Sequence, residues 1–117
     1  MNKRETGAAG EDLAVKFLLR RGYRIIDRNF YARQGEIDII AKDKKGLAFI
    51  EVKTRNTPDL GYPAEAVTPI KTHRIRKTAL YYLMKNRLTD TPYRFEVVSI
   101  LKTSPDRYAI DLLPLEF

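Results

Sequence analysis

Two strand-like segments joined by a short polar turn constrain the fold of this chain most strongly. Residues 36–41 and 46–54 are rich in β-branched and aromatic side chains and place them on alternating faces. Between them, Asp43-Lys-Lys-Gly46 has the composition of a two-residue hairpin turn. We therefore predict a β-hairpin that is symmetric about Lys44 and Lys45.

Two segments outside the hairpin have the period of a helix. Residues 6–22 repeat apolar side chains at helical spacing, with Thr6 as the N-cap and Gly22 as the stop signal. Residues 68–86 do the same and begin with Thr68-Pro69, a capping hydroxyl followed by proline at the first helical position. In this second helix the residues expected to face inward are Ile75, Ala79, Tyr82 and Leu83.

Short apolar segments at residues 23–27, 94–101 and 108–113 predict three further strands, with a turn at 104–106 between the last two. Residues 29–35 and 55–63 are polar and predict loops. The resulting order, α-β-β-β-α-β-β, predicts a mixed α/β fold. A chain of 117 residues suits one domain, which would span residues 1–117.

The composition narrows the chemistry that the chain can perform. It has no cysteine and one histidine, His73, which argues against thiolate or multi-histidine zinc sites and against a Ser-His-Asp triad. Any metal should therefore be a hard cation held by carboxylates, either Mg²⁺ or Mn²⁺. We expect His73 to be structural rather than catalytic.

Positive charge predominates, with 22 Lys and Arg against 15 Asp and Glu and a net charge of +7. This sign favours polyanionic partners such as nucleic acids, although solvated lysines alone would give the same sum. Residues 66–89 hold six Lys or Arg and no acidic residue. No apolar run suits a membrane span or a signal peptide, so we expect a cytoplasmic protein without membrane association.

The hairpin places several charged side chains on one face. Glu51 and Lys53 are two residues apart on one strand, as are Glu36 and Asp38 on the other. In the symmetric register Asp38 lies opposite Glu51, and like charges at that distance destabilise a sheet unless a cation lies between them. A bulge at Gly46 would shift this register. A divalent metal beside Lys53 would suit phosphodiester hydrolysis.

Glu11 differs from the other charged residues of the first predicted helix. It projects to the apolar side with Ala14 and Leu18, whereas Asp12 lies on the solvent side. One interpretation is a favourable charge near the helix N-terminus. The other, which we prefer, is that Glu11 completes the metal site directly or through water.

These motifs together resemble the PD-(D/E)xK nuclease superfamily and, more closely, the bacterial YraN-like family, to which endonuclease activity is ascribed. The resemblance covers nearly the whole chain and is carried by Gly-Glu-Asp-Leu-Ala at 10–14, Gly-Glu-Ile-Asp-Ile at 35–39 and Phe-Ile-Glu-Val-Lys-Thr-Arg at 49–55. Weaker matches lie at 66–71 and 94–98. Two positions depart from the usual pattern, Ile37 where the superfamily name has proline and Glu96 where the family has aspartate.

The resemblance implies a restriction-endonuclease-like core, a central mixed sheet flanked by helices as in Holliday junction resolvases. It also implies a division of roles: Asp38, Glu51 and Lys53 as catalytic residues, and Glu11, Asp38 and Glu51 as ligands of Mg²⁺ or Mn²⁺.

Several residues keep two interpretations. Glu36 belongs either to the metal site or to the preceding loop as a cap. The basic side chains Lys71, Arg74 and Arg55 either contact phosphates or are simply solvated. Aromatic side chains could stack on unpaired bases, but core packing is the more frequent use for Tyr81, Tyr82 and Tyr93.

The sequence therefore predicts a metal-dependent endonuclease acting on DNA, including branched or single-stranded forms. A first alternative is a non-cleaving nucleic-acid-binding module that acts with a partner in DNA repair or recombination. A second is an interaction protein that docks on a repair or replication partner. Junction cutting would require a homodimer, because two strands must be cut.

Overall fold

Two helices and five strands form the part of the chain that the computed structural model describes, residues 3–56 and 68–115, with side chains from Ala9 onward. The helices are α1 (Lys3–Arg20) and α2 (Pro69–Lys85). The strands are β1 (Arg24–Ala32), β2 (Gly35–Asp43), β3 (Gly46–Arg55), β4 (Tyr93–Ser104) and β5 (Arg107–Pro114). This order confirms the predicted mixed α/β arrangement.

The five strands form one mixed sheet in the order β1-β2-β3-β4-β5. Neighbouring strands are antiparallel except β3 and β4, which run parallel. Parallel neighbours need a crossover connection, and α2 provides it between β3 and β4. The predicted central mixed sheet flanked by helices is therefore confirmed.

Each face of the sheet carries its own hydrophobic core. The face covered by α1 buries Ala14, Leu18, Tyr23, Ile39, Ala41, Ala48, Ile50, Val98 and Ile100. The face covered by α2 buries Ile37, Ile40, Leu47, Phe49, Ile75, Ala79, Tyr82, Leu83 and Phe95. Because β2 and β3 lie in the interior of the sheet, their side chains enter both cores.

The helix α1 begins at Lys3, so the predicted start at Thr6 was wrong. The helix includes about one additional turn of polar residues at its start. The apolar periodicity used for the prediction does not extend into these residues. The predicted stop is confirmed: Gly22 has a φ of 88°, and Tyr23 N–H donates to the carbonyl of Leu18 at 3.0 Å. Gly22 adopts this left-handed conformation without a Cβ penalty, as is typical of a helix C-terminus.

The helix α2 forms as predicted. Thr68 is the N-cap, with its hydroxyl accepting from Lys71 N–H at 3.3 Å, and Pro69 occupies the first turn. The C-cap is Asn86. All four residues expected to face inward, Ile75, Ala79, Tyr82 and Leu83, are buried.

The strand β1 is longer than predicted. It runs to Ala32 instead of ending at residue 27, so the predicted loop at 29–35 shrinks to the turn Arg33-Gln34. Pairing with β2 continues to Ala32 opposite Gly35, and these ladder hydrogen bonds stabilise a polar sequence as a strand. A register shift near Ile25 and the positive φ of Asn29 (53°) interrupt its alternation, which hid the strand in the sequence.

The last two strands are the predicted ones, each extended by a few residues, with the turn at Pro105-Asp106. Arg55 belongs to β3 rather than to a loop, and the rest of the predicted loop, from residue 57, lies outside the described residues. Within residues 3–56 and 68–115, neither helix is long and apolar enough to cross a membrane.

Candidate active site

The hairpin β2–β3 brings Asp38 and Glu51 to one place. Its register pairs Asp43 with Gly46 and continues regularly to Ile39 opposite Ile50, without a bulge at Gly46. The paired residues end there, one step before Asp38 and Glu51. Beyond that point the Asp38 carboxylate accepts a hydrogen bond from Val52 N–H at 2.8 Å. A side-chain oxygen of β2 is therefore the acceptor for this backbone N–H of β3. Both carboxylates line one cavity of about 260 Å³.

Glu51 and Lys53 form an ion pair on the α2 face of β3. Lys53 Nζ lies 3.2 Å from Glu51 Oε1, and the two side chains are only 19% and 12% exposed. The two side chains on this face are therefore poorly hydrated. Burial, and after it the charge of Asp38, raise the pKa of Glu51 to about 7, against the opposing effect of Lys53.

Asp38 is also poorly hydrated. Burial raises its pKa above the usual value, and the hydrogen bond from Val52 and the ammonium of Lys53 offset this only in part. Two carboxylates whose pKa values are raised mainly by burial are costly to keep ionised at one site. A bound cation would offset that cost.

Glu11 projects from α1 toward the sheet, as its helical position predicts, while Asp12 is exposed. The Glu11 side chain is 16% exposed, and its buried Oε1 accepts no hydrogen bond. The nearest cation, Arg28, is 3.8 Å from this oxygen and binds Asp12 more closely, at 2.9 Å. Burial, then the charge of Asp38, raise the pKa of Glu11.

A close approach between α1 and β3 fixes the position of Glu11. A Cβ atom added to Gly10 would lie 2.6 Å from Thr54 Oγ1, which is closer than a real Cβ allows. Glycine at this position therefore lets α1 lie against the strand that carries Glu51 and Lys53. The neighbouring Glu11 is held over the same end of the sheet.

The start of α2 supplies positive charge to the cavity. Lys71 and Arg74 line it together with Asp38, Glu51 and Glu36. The interaction with Lys53, followed by burial, lowers the pKa of Lys71. Lys71 is therefore part of the same charged group as Lys53.

Glu36 is exposed at the rim of the cavity and shares it with Asp38. Partial burial and the charge of Asp38 raise its pKa, while a hydrogen bond from Tyr31 acts in the opposite direction. Glu36 lies at the cavity, and its part in a metal site stays a prediction. Glu36 is the second residue of β2 and does not lie in a loop.

The remaining candidates lie farther from the cavity. Arg55 is half-buried at the end of β3 and is not among the described residues that line it. His73 is exposed on α2 and does not line it either. The three tyrosines considered for base stacking join an aromatic cluster instead, with Phe30 against Tyr81 and Tyr82, and Phe49 against Tyr82 and Tyr93.

The site offers oxygen donors of the kind that Mg²⁺ and Mn²⁺ prefer. Asp38 and Glu51 offer hard oxygen donors, and Oε1 of Glu11 is a third carboxylate oxygen that accepts no hydrogen bond. Among residues 3–56 and 68–115, however, no three acidic or histidine side chains converge as a ready metal cluster. Mg²⁺ commonly binds one or two carboxylates and keeps several waters, so the residues present fit it in donor type and number.

A family model described as "Uncharacterised protein family UPF0102" matches residues 10–100 of the chain. The chain belongs to this family. It is 50% identical to a UPF0102 protein of Geobacter sulfurreducens over 90% of this chain and 82% of that one. It is also 45% identical to a UPF0102 protein of Caldicellulosiruptor saccharolyticus, over 86% and 85% of the two chains. The resemblance to the YraN-like family is thereby confirmed.

A solved structure, that of Pyrococcus furiosus SfsA in complex with Ca²⁺, is similar to this UPF0102 chain at a TM-score of 0.48 and 16% sequence identity. The match covers 99% of this chain and 66% of the longer SfsA chain. At this TM-score the likeness carries no functional argument.

Sequence reasoning missed two residues of this UPF0102 site. Arg28 contacts both Asp12 and Glu11, and Tyr31 contacts Glu36, yet both belong to the part of β1 whose length was underestimated. The pair Phe30-Tyr31, two residues that favour strands, was the available signal that β1 continues. No pattern in the sequence indicated the partner of Arg28.

Proposed function

We propose that this UPF0102 protein is a Mg²⁺- or Mn²⁺-dependent endonuclease that hydrolyses phosphodiester bonds in DNA. The single observation that carries the proposal is the pair of poorly hydrated carboxylates, Asp38 and Glu51, which share a cavity beside Lys53. A cation is the simplest way to stabilise this arrangement, and phosphate chemistry is a common use of one. The family and the basic charge of the chain are consistent with it.

Within this proposal, Asp38 and Glu51 hold the metal, and Glu11 completes its surroundings directly or through water. When bound, the metal would polarise the phosphate and lower the pKa of a water molecule. Burial acts to lower the pKa of Lys53, but its contacts with Lys71 and Glu51 outweigh this and raise it. Lys53 therefore stays protonated, orients the attacking water and stabilises charge on the phosphate rather than accepting a proton.

Lys71 and Arg74 would bind the phosphates on either side of the cleaved bond. Both are exposed at the start of α2 and line the cavity. Each phosphate contact of this kind releases bound counterions, so DNA binding should weaken steeply as salt is raised.

The test is cleavage of labelled duplex, single-stranded, flap and four-way-junction DNA in Mg²⁺, Mn²⁺ or EDTA. The proposal expects metal-dependent cutting that falls at least about 100-fold in Asp38→Asn and in Lys53→Ala. Matched controls are Asp111→Asn and Lys42→Ala, at exposed positions outside the cavity lining, which should cut like the wild type. Cutting in EDTA, or full activity in Asp38→Asn, would refute it.

One observation favours a second candidate, a module that binds nucleic acid without cutting it. The described residues contain no ready cluster of three metal ligands. This candidate expects DNA binding that is unchanged by Mg²⁺, Mn²⁺ or EDTA, with intact substrates in every condition. Binding that tightens with metal would exclude it in favour of the endonuclease.

A further inference from the structure

Tyr31 is the most exposed large hydrophobic residue of the described chain, with 69% of its surface accessible. It is also close to the candidate site. In the β1–β2 ladder it lies directly opposite Glu36, which lines the cavity together with Asp38 and Glu51. The exposed ring of Tyr31 therefore lies beside Glu36, one of the residues that line the cavity.

The strand that carries Tyr31 is well anchored. Ladder pairing continues on both sides of it, from Phe30 opposite Ile37 to Ala32 opposite Gly35. The Phe30 ring packs edge-on against Tyr82 of α2, with ring centroids 5.2 Å apart. Because the backbone is already ordered, a ligand that contacts the Tyr31 ring does not have to order the strand.

Positively charged residues also line this cavity. A Cβ atom added to Gly35 would lie 3.5 Å from Cβ of Arg74, so the end of the hairpin packs against the basic start of α2. Lys71 and Arg74 line the cavity, and Arg33 is exposed in the adjoining turn. Exposed aromatic rings and nearby cations are the combination with which proteins bind single-stranded nucleic acid.

We infer that Tyr31 stacks on an unpaired base of a DNA strand bound across the cavity, and that this protein prefers substrates with unpaired nucleotides. In a continuous duplex each base face is covered by its neighbour, so the ring could stack only after costly unstacking. The inference rests on the proposed function for its choice of ligand, but not on cleavage.

A structural alternative is that Tyr31 only orients Glu36 through its hydroxyl group. The two roles use different parts of the side chain. Stacking needs the ring, which Tyr31→Phe and Tyr31→Trp retain, whereas orienting Glu36 needs the hydroxyl, which both lack. Since Tyr31 is largely exposed, none of these changes disturbs the core.

The chain contains no tryptophan, so Tyr31→Trp introduces a single indole reporter. Its fluorescence would be followed in EDTA while oligothymidine or a blunt duplex of equal length is added. We expect saturable quenching by the single strand and little by the duplex. The matched control is Tyr108→Trp, at an exposed tyrosine on β5, the opposite edge of the sheet, and its emission should not change.

Affinity is measured in the same buffer by anisotropy of labelled oligothymidine. Tyr31→Ala should weaken binding by about fivefold to about a hundredfold, while Tyr31→Phe should bind like the wild type. Duplex affinity should be unchanged by both. The inference fails if the wild type does not bind the single strand, if Tyr31→Trp is not quenched, or if Tyr31→Phe loses as much affinity as Tyr31→Ala.

Because metal is absent, these measurements separate the two proposals. Quenching by a protein that cuts no DNA would support the role of Tyr31 and refute the endonuclease. Metal-dependent cutting by a protein whose Tyr31→Ala variant binds and cuts normally would support the endonuclease and refute the role of Tyr31.

Discussion

Two clusters of charged residues at the sheet can be compared within residues 3–56 and 68–115, and they differ in how completely their charged atoms are paired. The first surrounds Arg94, which donates to Asp43 at 2.7 and 3.1 Å, to Glu96 at 3.2 Å and to the Tyr23 hydroxyl at 2.9 Å. Tyr23 donates in turn to Glu96 at 2.7 Å. The second is the cavity cluster, Glu11, Asp38, Glu51 and Lys53, in which Glu11 Oε1 has no hydrogen-bond partner.

The pKa values show the same difference. In the Arg94 cluster burial acts to raise the pKa of Asp43, but the Arg94 guanidinium and the backbone N–H groups of Lys45 and Gly46 together hold that pKa below its usual range. In the cavity cluster burial and mutual repulsion prevail, and the pKa of Glu51 rises to about 7. Carboxylates therefore stabilise the fold in the Arg94 cluster and destabilise it in the cavity cluster. Ionisable groups that destabilise a fold in this way are found preferentially at functional sites.

Removal of Arg94 should have the largest effect on stability. Arg94→Ala leaves Asp43, Glu96 and Tyr23 without their shared partner in a half-buried position. We expect a loss of about 2–4 kcal/mol in the free energy of unfolding, measured by urea denaturation. The matched control is Arg24→Ala, at an exposed position, which should change it by less than about 0.5 kcal/mol. Equal losses in the two variants would mean that the Arg94 cluster is not structural.

Removal of the charge of Glu51 should increase the free energy of unfolding, whereas removal of Arg94 should decrease it. Its pKa is higher in the folded chain than the ordinary 4.5, so the folded state binds more protons between pH 4.5 and about 7. Without metal, wild-type stability should therefore fall as pH rises through this window. Above it, Glu51→Gln should be more stable than the wild type by on the order of 2 kcal/mol.

Asp43→Asn is the matched control for that experiment. Because the folded pKa of Asp43 is lowered, its contribution is present above pH 3.8 and is lost only at more acidic pH. This variant should be less stable than the wild type at neutral pH. If Glu51→Gln is also destabilised in EDTA, the contrast between the two clusters is not real.

The smallest expected effect concerns the contact that positions Glu11. Alanine favours a helix over glycine by about 1 kcal/mol, but in Gly10→Ala the new Cβ would collide with Thr54 Oγ1. We expect Gly10→Ala to be no more stable than the wild type in thermal unfolding. In a Thr54→Ala background the same change should stabilise by about 1 kcal/mol. A stabilised single variant would show that α1 does not depend on this close approach.

Much of the cavity cluster could be predicted from the sequence, because local rules determine it. The turn at Lys44-Lys45 sets the hairpin register, and that register brings Asp38 beside Glu51. Helical periodicity predicted that Glu11 faces the sheet, as it does in the structure. The pair Thr68-Pro69 correctly predicted where α2 begins. The roles of Glu11, Asp38 and Glu51 in metal binding and catalysis stay predictions.

The Arg94 cluster could not be predicted in this way. Tyr23, Asp43 and Arg94 are far apart in the chain and meet only because β1 to β4 assemble in one sheet. No period or motif indicates that meeting. The extension of β1 was missed for a related reason, since the positive φ of Asn29 breaks the alternation by which a strand is recognised.

The most direct test of the account is calorimetric titration of the metal-free protein with Mn²⁺ at slightly alkaline pH, with Glu51→Gln and Asp43→Asn alongside. If the cavity carboxylates are an unfilled cation site, the wild type and Asp43→Asn should bind Mn²⁺ and gain thermal stability with it. Glu51→Gln should lose both the binding and the gain. A wild type that binds no Mn²⁺, or a Glu51→Gln variant that binds it equally well, would contradict the account.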